Sequence, residues 1–192
     1  MLYENTNNNT TFFSIAKGSL VRIIKQADGT TAEKTYRAVD GILTKISKKE
    51  VSVNQTPKMK LNFFLQDGQE SYCVSVFEDS GVAKDIIRTL AAITDFSQKI
   101  TINPYLTKDG KHTNVSISQN GKRCNWVAEK LPETKFVNQA TGNEFLDFTN
   151  LVKWIDQKVD AINNLLSAGI TDAPVPTPDD GDMPDFSSIS EN

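Results

Sequence analysis

The chain is short of the residues that carry most metal and catalytic chemistry. Among 192 residues it has one histidine, His112, and two cysteines, Cys73 and Cys124. The cysteines stand far apart, so there is no Cys-x-x-Cys pair for metal or redox work, and a single histidine supplies neither a zinc site nor a triad. The two thiols are expected to be reduced core groups in a cytosolic protein, with a disulfide as the alternative. No run approaches the ~20 apolar residues of a membrane span. Met1–Thr11 is rich in Asn and Thr and lacks the basic-then-apolar order of a secretory signal. Gly110-Lys111 and Gly121-Lys122 lack the upstream glycine of a phosphate loop, and neither Gly-x-Ser-x-Gly nor His-Glu-x-x-His occurs. These absences argue against an enzyme, a cofactor and a resident metal. A metal-dependent nuclease is the weakest reading considered.

What is present is an uneven charge. Residues 171–192 hold six acids (Asp172, Asp179, Asp180, Asp182, Asp185, Glu191) and no Lys or Arg. Residues 17–60 hold ten basic and four acidic residues, and residues 99–125 five basic and one acidic. A basic body joined to an acidic end is a pattern of nucleic-acid binding or of an interaction tail. The tail also holds four of the seven prolines, Pro174, Pro176, Pro178 and Pro184. With little apolar surface it cannot offset its ordering entropy, so disorder is expected there. Residues 1–11 are expected to be a flexible arm, and residues 12–170 a single domain.

Alternating apolar residues predict strands over Phe12–Ile24, Lys34–Ile46, Met59–Leu65 and Glu70–Phe77, with a bulge at Asp40-Gly41. Lys48–Glu50 and Gln55–Lys58 read as loops. A helix capped by Asp79 or Ser80 carries Val82, Ile86, Leu90 and Ile93 at helical spacing and ends near Thr94-Asp95. Strands over Lys99–Thr107 and His112–Ser118 flank a Lys108–Lys111 turn, and Lys122–Val127 follows the Asn120-Gly121 turn. After an irregular 128–148, a helix runs from Thr149 to Gly169, either packed on the body or used for oligomerisation. Strands, one helix, then a terminal hairpin is the order of a mainly β, α+β chain of the OB type: a five-stranded barrel with a bridging helix, extra strands and a C-terminal helix. A β-sandwich with helical additions is the alternative.

Non-specific binding of single strands needs cations along the phosphates and flat rings under the bases. In the third strand Lys60 and Phe64 alternate against Met59, Leu61, Phe63 and Leu65, so Lys60 and Phe64 should face outward unless a loop or helix covers Phe64. Arg22, Lys34, Tyr36, Arg37, Lys45 and Tyr72 are candidates on neighbouring strands. Tyr105, Lys108, Lys111 and His112 could form a basic finger. Lys122, Arg123 and Trp126 follow, although Trp126 reads first as a core residue. Lys60, Arg37, Tyr105 and Lys111 are expected to line one cationic cleft.

The layout resembles the single-stranded-DNA-binding proteins of bacteria and bacteriophages, the phage type more closely. The resemblance is most specific at Asp179, Asp180, Asp182, Met183, Pro184, Asp185 and Phe186, an acidic run followed by an apolar residue, Pro and Phe. Asp185 lies between Pro184 and Phe186, and Ser187–Asn192 follows, so Phe186 carries no terminal carboxylate. The resemblance implies a replication, recombination and repair protein of the cytoplasm (of the host, if viral). It implies partners of two kinds: single-stranded DNA on the body, and replication or recombination proteins on the tail. A homo-oligomer is compatible with it. The competing expectation is a non-enzymatic structural or adaptor protein, such as a virion component, whose tail docks a partner or only keeps it soluble.

Overall fold

Left-handed turns cut the chain into strands. Lys17 (φ 48°) and Gly18 (φ 72°) separate β1 (Thr10–Ala16) from β2 (Ser19–Lys25), and β3 (Thr31–Tyr36) returns along β2. Asn54 (φ 49°) and Gln55 (φ 65°) close the hairpin between β4 (Val39–Val53) and β5 (Thr56–Asp67). Gly68 turns β5 into β6 (Glu70–Phe77). Helix α1 (Gly81–Leu90) follows, begun by Ser80, whose Oγ accepts from the Ala83 N–H at 3.1 Å. The hairpin β7 (Ile100–Leu106) and β8 (Thr113–Gln119) comes next, with a short β9 (Lys122–Arg123). A separate ribbon pairs β10 (Lys135–Val137) with β11 (Glu144–Leu146), and α2 (Thr149–Gly169) is the last of the described elements. This computed structural model describes residues 10–169.

Among the described residues the fold is mainly β with two helices, and its nine-stranded sheet runs in the order β3-β2-β1-β6-β5-β4-β7-β8-β9. The expected barrel is not closed by strand pairing: among the described residues the sheet is open from β3 to β9. All its pairs are antiparallel except β1 with β6, which places Phe12 opposite Cys73 and Ser14 opposite Ser75. β4 changes partner along its length, from β7 over Val39–Gly41 to β5 from Ile42 onward. At the crossing a Cβ on Gly41 would stand 2.9 Å from Leu65 Cβ, so a side chain there would push the strands apart. The two ends of the sheet nevertheless approach. The Gly18 N–H donates to Thr113 Oγ1 at 3.1 Å, bringing the β1–β2 turn onto the β7–β8 hairpin.

Alternation sends Phe13, Leu43, Ile46, Leu61, Phe63, Leu65, Val74 and Val76 to one face, where α1 adds Ile86, Ile87 and Leu90. Helix α2 completes the same core with Leu151, Trp154, Ile155, Val159, Ile162 and Leu166. It also covers a sheet edge. Once β4 leaves β7, its outer backbone groups lack a strand. Asn163 supplies both bonds at Ile46, accepting from its N–H at 3.0 Å and donating to its carbonyl at 2.9 Å. Trp154 Nε1 donates to Glu129, which also pairs with Lys158 at 2.5 Å. The helix thus packs on the body.

Lys48 ties α2 to the sheet through Glu78 and Asp156. Burial pushes the Glu78 carboxyl above its ordinary 4.5, with Lys48 opposing and Asp156 adding to the rise. Asp85 is pushed up by burial as well. A carboxyl that ionises less readily when folded favours the fold below its unfolded value, and that advantage is lost as pH rises through the folded value. The melting temperature should therefore fall more between pH 4.5 and 7 for the wild type than for Glu78→Gln. Thermal melts across that interval check this, and parallel profiles would remove Glu78 as the cause.

Several strand boundaries differ from the sequence expectation. Phe12–Ile24 is two strands, because Lys17-Gly18 adopts the left-handed pair a tight hairpin needs. Lys34–Ile46 is divided at Arg37-Ala38. Lys48–Glu50 and Gln55–Lys58 belong largely to a long β4–β5 ribbon instead of loops. The bulge falls between Leu43 and Lys45, not at Asp40-Gly41, and Thr44 fills it by donating to the Phe64 carbonyl at 3.2 Å. β1 begins at Thr10, inside the expected arm. Lys122–Val127 is a strand only over Lys122–Arg123. Both cysteines are free, Cys73 buried and Cys124 partly so.

Candidate nucleic-acid interface

The bulge at Thr44 decides what the second face of the sheet presents. Before it, Leu43 lies opposite Leu65; after it, Lys45 lies opposite Phe64 and Ile46 opposite Phe63. Directly opposed residues share a face. The face turned away from the core therefore carries three rows across β4, β5, β6 and β1. The first row is Lys45, Phe64, Cys73 and Phe12; the second is Ser47, Asn62, Ser75 and Ser14. The third begins Lys49, Lys60 and Phe77. Lys58, opposite Val51, continues the face beyond them. Rows two residues apart along a strand are separated by roughly 6.8 Å.

Charge is sorted by this alternation. From Lys45 to Val53 on β4, and over β5, β6 and β1, no Asp or Glu falls on the lysine face. Glu50, Asp67 and Glu70 all take the other parity. Rings and cations are close within the face, with the Lys58 Nζ 5.2 Å and the Lys60 Nζ 4.9 Å from the centre of the Phe77 ring. The middle of the face is covered rather than open. Lys60 and Phe64 are each 8% exposed, and Asn62 and Ser75 are each 3% exposed. Phe64 and Cys73 are buried yet lie outside the apolar cluster that the helices complete. Lys45 and Lys58 are exposed and form its rim.

The candidates read from sequence do not make one surface. Lys45, Lys60 and Phe64 share the face just described. Tyr36, Tyr72, Arg22 and Lys34 take the opposite parity, because Leu20, a core residue, pairs with Tyr36, and Arg22 with Lys34. Phe13 lies between the two tyrosines, its ring 5.3 Å from Tyr36 and 6.1 Å from Tyr72. Tyr72 donates to Glu70, and this bond, helped by burial, pushes its hydroxyl up to about 12. Both tyrosines therefore pack at the margin of the core rather than beside Phe64. Arg37 is exposed between β3 and β4.

The β7–β8 hairpin presents its residues outward, as alternation predicted. Tyr105 is 37% exposed, and Lys108, Lys111 and His112 are exposed around the turn. Asp109 sits among them, accepting from Thr107 and from the Lys111 N–H at 3.1 Å, and the Thr107 bond foremost holds its carboxyl below the usual range. Lys122 and Arg123 are exposed on β9. Trp126 is 47% exposed instead of core, with the Arg88 guanidinium 4.6 Å from its ring. The tail residues Asp179, Asp180, Asp182, Met183, Pro184, Asp185 and Phe186 lie outside the described residues.

Sequence reading missed Phe12, Lys49, Lys58 and Phe77 as members of the lysine face. The period-2 spacing of Lys45, Lys49, Lys58 and Lys60 was the available signal once 48–58 is taken as strand. Compared with known proteins, the chain matches no family model, no curated protein and no solved structure. Its geometry is what remains to argue from. Among the described residues no group of His, Cys, Asp and Glu is placed to hold a metal ion, and no helix is long and apolar enough to cross a membrane.

Proposed function

We propose that the protein binds single-stranded DNA without strong sequence preference along the lysine face of its sheet, in the manner of an OB-type domain. The observation that carries the reading is the sorting of charge: Lys45, Lys49, Lys58 and Lys60 share one face with Phe12, Phe64 and Phe77, and the acids of β4 beyond the Thr44 bulge, of β5 and of β6 take the other. Lysines can follow phosphates while rings between them stack on bases, which needs no base-specific contact. The order of elements supports the OB assignment. A three-stranded meander, β4–β5–β6, is followed by a helix and then a hairpin that returns to β4. In this reading the β1–β2 hairpin occupies the side of β6 where the last barrel strand would otherwise lie.

The acidic segment 171–192 completes the proposal as an intramolecular competitor for the lysines and as a recruiting arm for replication or recombination proteins. Tethered carboxylates reach an effective concentration on the order of millimolar. Labelled oligo-dT titrated at rising salt is the test. Binding should be tight at low salt, lose about 0.7 log units per log unit of salt for each phosphate contacted, and strengthen when residues 171–192 are removed. Failure of oligo-dT to bind at low salt would end the reading. The adaptor reading keeps one observation in its favour: Val137, Phe145 and Leu146 on the β10–β11 ribbon are 58%, 49% and 59% exposed. It expects no oligonucleotide binding by either form of the chain.

A further inference from the structure

One large ring that the lysine face does not use is held outside the fold with a cation against it. The chain after β9 is pinned at two points. The Cys124 N–H donates to the Ile117 carbonyl at 2.8 Å, and the Val127 N–H donates at 3.0 Å to the carbonyl of Arg88, in the last turn of α1. Cys124 and Val127 pack against the core, and Trp126 between them is left 47% exposed. The Arg88 guanidinium lies 4.6 Å from the centre of the Trp126 ring. Among the described residues Arg88 forms no ion pair, and its Nε is buried without a hydrogen-bond partner. A buried donor without a partner calls for a reason, and here the guanidinium is committed to the indole. From Gly110 to Ala128 the sequence has Lys111, Lys122 and Arg123 and no Asp or Glu. Lys122 and Arg123 are exposed, and Arg123 stands opposite Ser118, on the side of the sheet away from the core residue Ile117. The lysine face is on that same side. The other tryptophan, Trp154, is 5% exposed and donates its Nε1–H to Glu129.

We propose that Trp126, propped by Arg88, is a base-stacking station at the β9 edge of the sheet: one base of a bound strand lies on the open side of the ring, and its neighbouring phosphates meet Arg123 and Lys122. The inference rests on the strand-binding reading and adds a contact outside the lysine face. Stacking on an indole requires only a flat partner, so it suits a strand of any sequence. The guanidinium against the ring holds its tilt, so little side-chain freedom is left to lose when a base arrives. Segment 171–192, with its acids and Phe186, is the other occupant of matching charge. A strand is favoured because the cations beside the ring stand at the edge of the sheet that carries the lysine face, Arg123 on the same side as those lysines.

The test uses the full chain, its Trp126→Ala and Trp126→Tyr variants, and two end-labelled probes, oligo-dT and an abasic oligomer of equal length. Both are ~20 nucleotides long, beyond the ~16 of the largest single OB-fold site. Anisotropy of the label reads binding, and tryptophan emission reads the ring. Oligo-dT should quench the wild type and leave Trp126→Tyr, which keeps only the buried Trp154, unchanged. Trp126→Ala should lower oligo-dT affinity about tenfold, the size of one lost stack, while Trp126→Tyr, still a flat ring, recovers most of it. No phosphate contact is removed, so the log–log salt slope should stay the same and the abasic oligomer should bind all three proteins equally. An equal loss on the abasic oligomer would make Trp126 a support of the fold and overturn the station. Oligo-dT that binds without quenching, with Trp126→Ala at wild-type affinity, would overturn it and leave the lysine face standing. Emission that changes on removal of residues 171–192 and not on addition of oligo-dT would give the ring to the tail, again overturning the station. Failure of both oligomers to bind at low salt would remove the strand-binding reading and this inference together.

Discussion

Replacing Lys45 and Lys58 together by alanine should weaken oligo-dT binding about 25-fold at 0.1 M salt. Each phosphate neutralised by a lysine contributes about 0.7 to the salt exponent for a single strand, which at 0.1 M is about fivefold per contact. The same arithmetic requires the log–log salt slope to become shallower by about 1.4, and the two proteins to converge as salt approaches 1 M. Both residues are exposed at the rim of the lysine face, one on each strand of the β4–β5 ribbon. Their removal should leave the fold intact; Lys58 gives up its place over the Phe77 ring, an exposed cation–π contact of about 0.5–1 kcal/mol. Removing Lys130 and Lys153 instead lowers the net charge equally and takes nothing from that face. That pair should change affinity less than twofold. If it weakens binding as much as Lys45→Ala with Lys58→Ala, attraction is a property of the whole molecule and the face has no special part in it.

How far this face was legible depended on turns more than on strands. The span of β6 and the Ser80 start of α1 were readable because each had a local signal, strict alternation in the first and a capping hydroxyl before an apolar stripe in the second. Lys60 and Phe64 were correctly set against Leu61, Phe63 and Leu65, since alternation alone fixes that division. The lysines before them were lost to supposed loops. The turn that joins β4 to β5 is made by Asn54 and Gln55, both left-handed, and no glycine announces it. The bulge at Thr44 was equally silent, yet without that one-residue slip Lys45 would not stand opposite Phe64.

Tyr36 and Tyr72 show a different limit. The sequence places Tyr72 with Val74 and Val76, and the core takes the valines, so the tyrosine goes with them. For Tyr36 the deciding fact is its pairing with Leu20, a long-range register that no local pattern contains. Three aromatic side chains from separate strands, Tyr36, Phe13 and Tyr72, thereby close the margin of the core instead of stacking on a ligand. The lysine face owes its chemistry to this sorting. Over β4 beyond its bulge, β5, β6 and β1, the strands give the acids and most bulky apolar groups to one side and Lys45, Lys49, Lys58, Lys60, small polar groups and three phenylalanines to the other.

Gly18→Ala should cost about 2–5 kcal/mol of folding stability, far more than Gly29→Ala. Both glycines have positive φ, 72° and 83°, so both substitutions carry the left-handed penalty of about 1–2 kcal/mol. Only at Gly18 is the added methyl group blocked. Its Cβ would stand 2.6 Å from the Leu106 backbone nitrogen and 2.8 Å from Leu106 Cγ, whereas at Gly29 nothing lies within 4 Å. A backbone atom cannot step aside as a flexible side chain can, so the β1–β2 turn must lift from the β7–β8 hairpin, adding about 1–3 kcal/mol of overpacking strain. Lifting also breaks the Gly18 N–H to Thr113 bond that joins the two ends of the open sheet. Urea unfolding of the two variants measures the difference. Equal losses would mean that the turn does not hold the sheet curled. If Gly18→Ala instead folds with a moderate loss, oligo-dT affinity reports whether Phe12 and Ser14, carried on β1, still meet β5 and β6 across the lysine face. A fall in affinity beyond that of Gly29→Ala ties the curl of the sheet to binding.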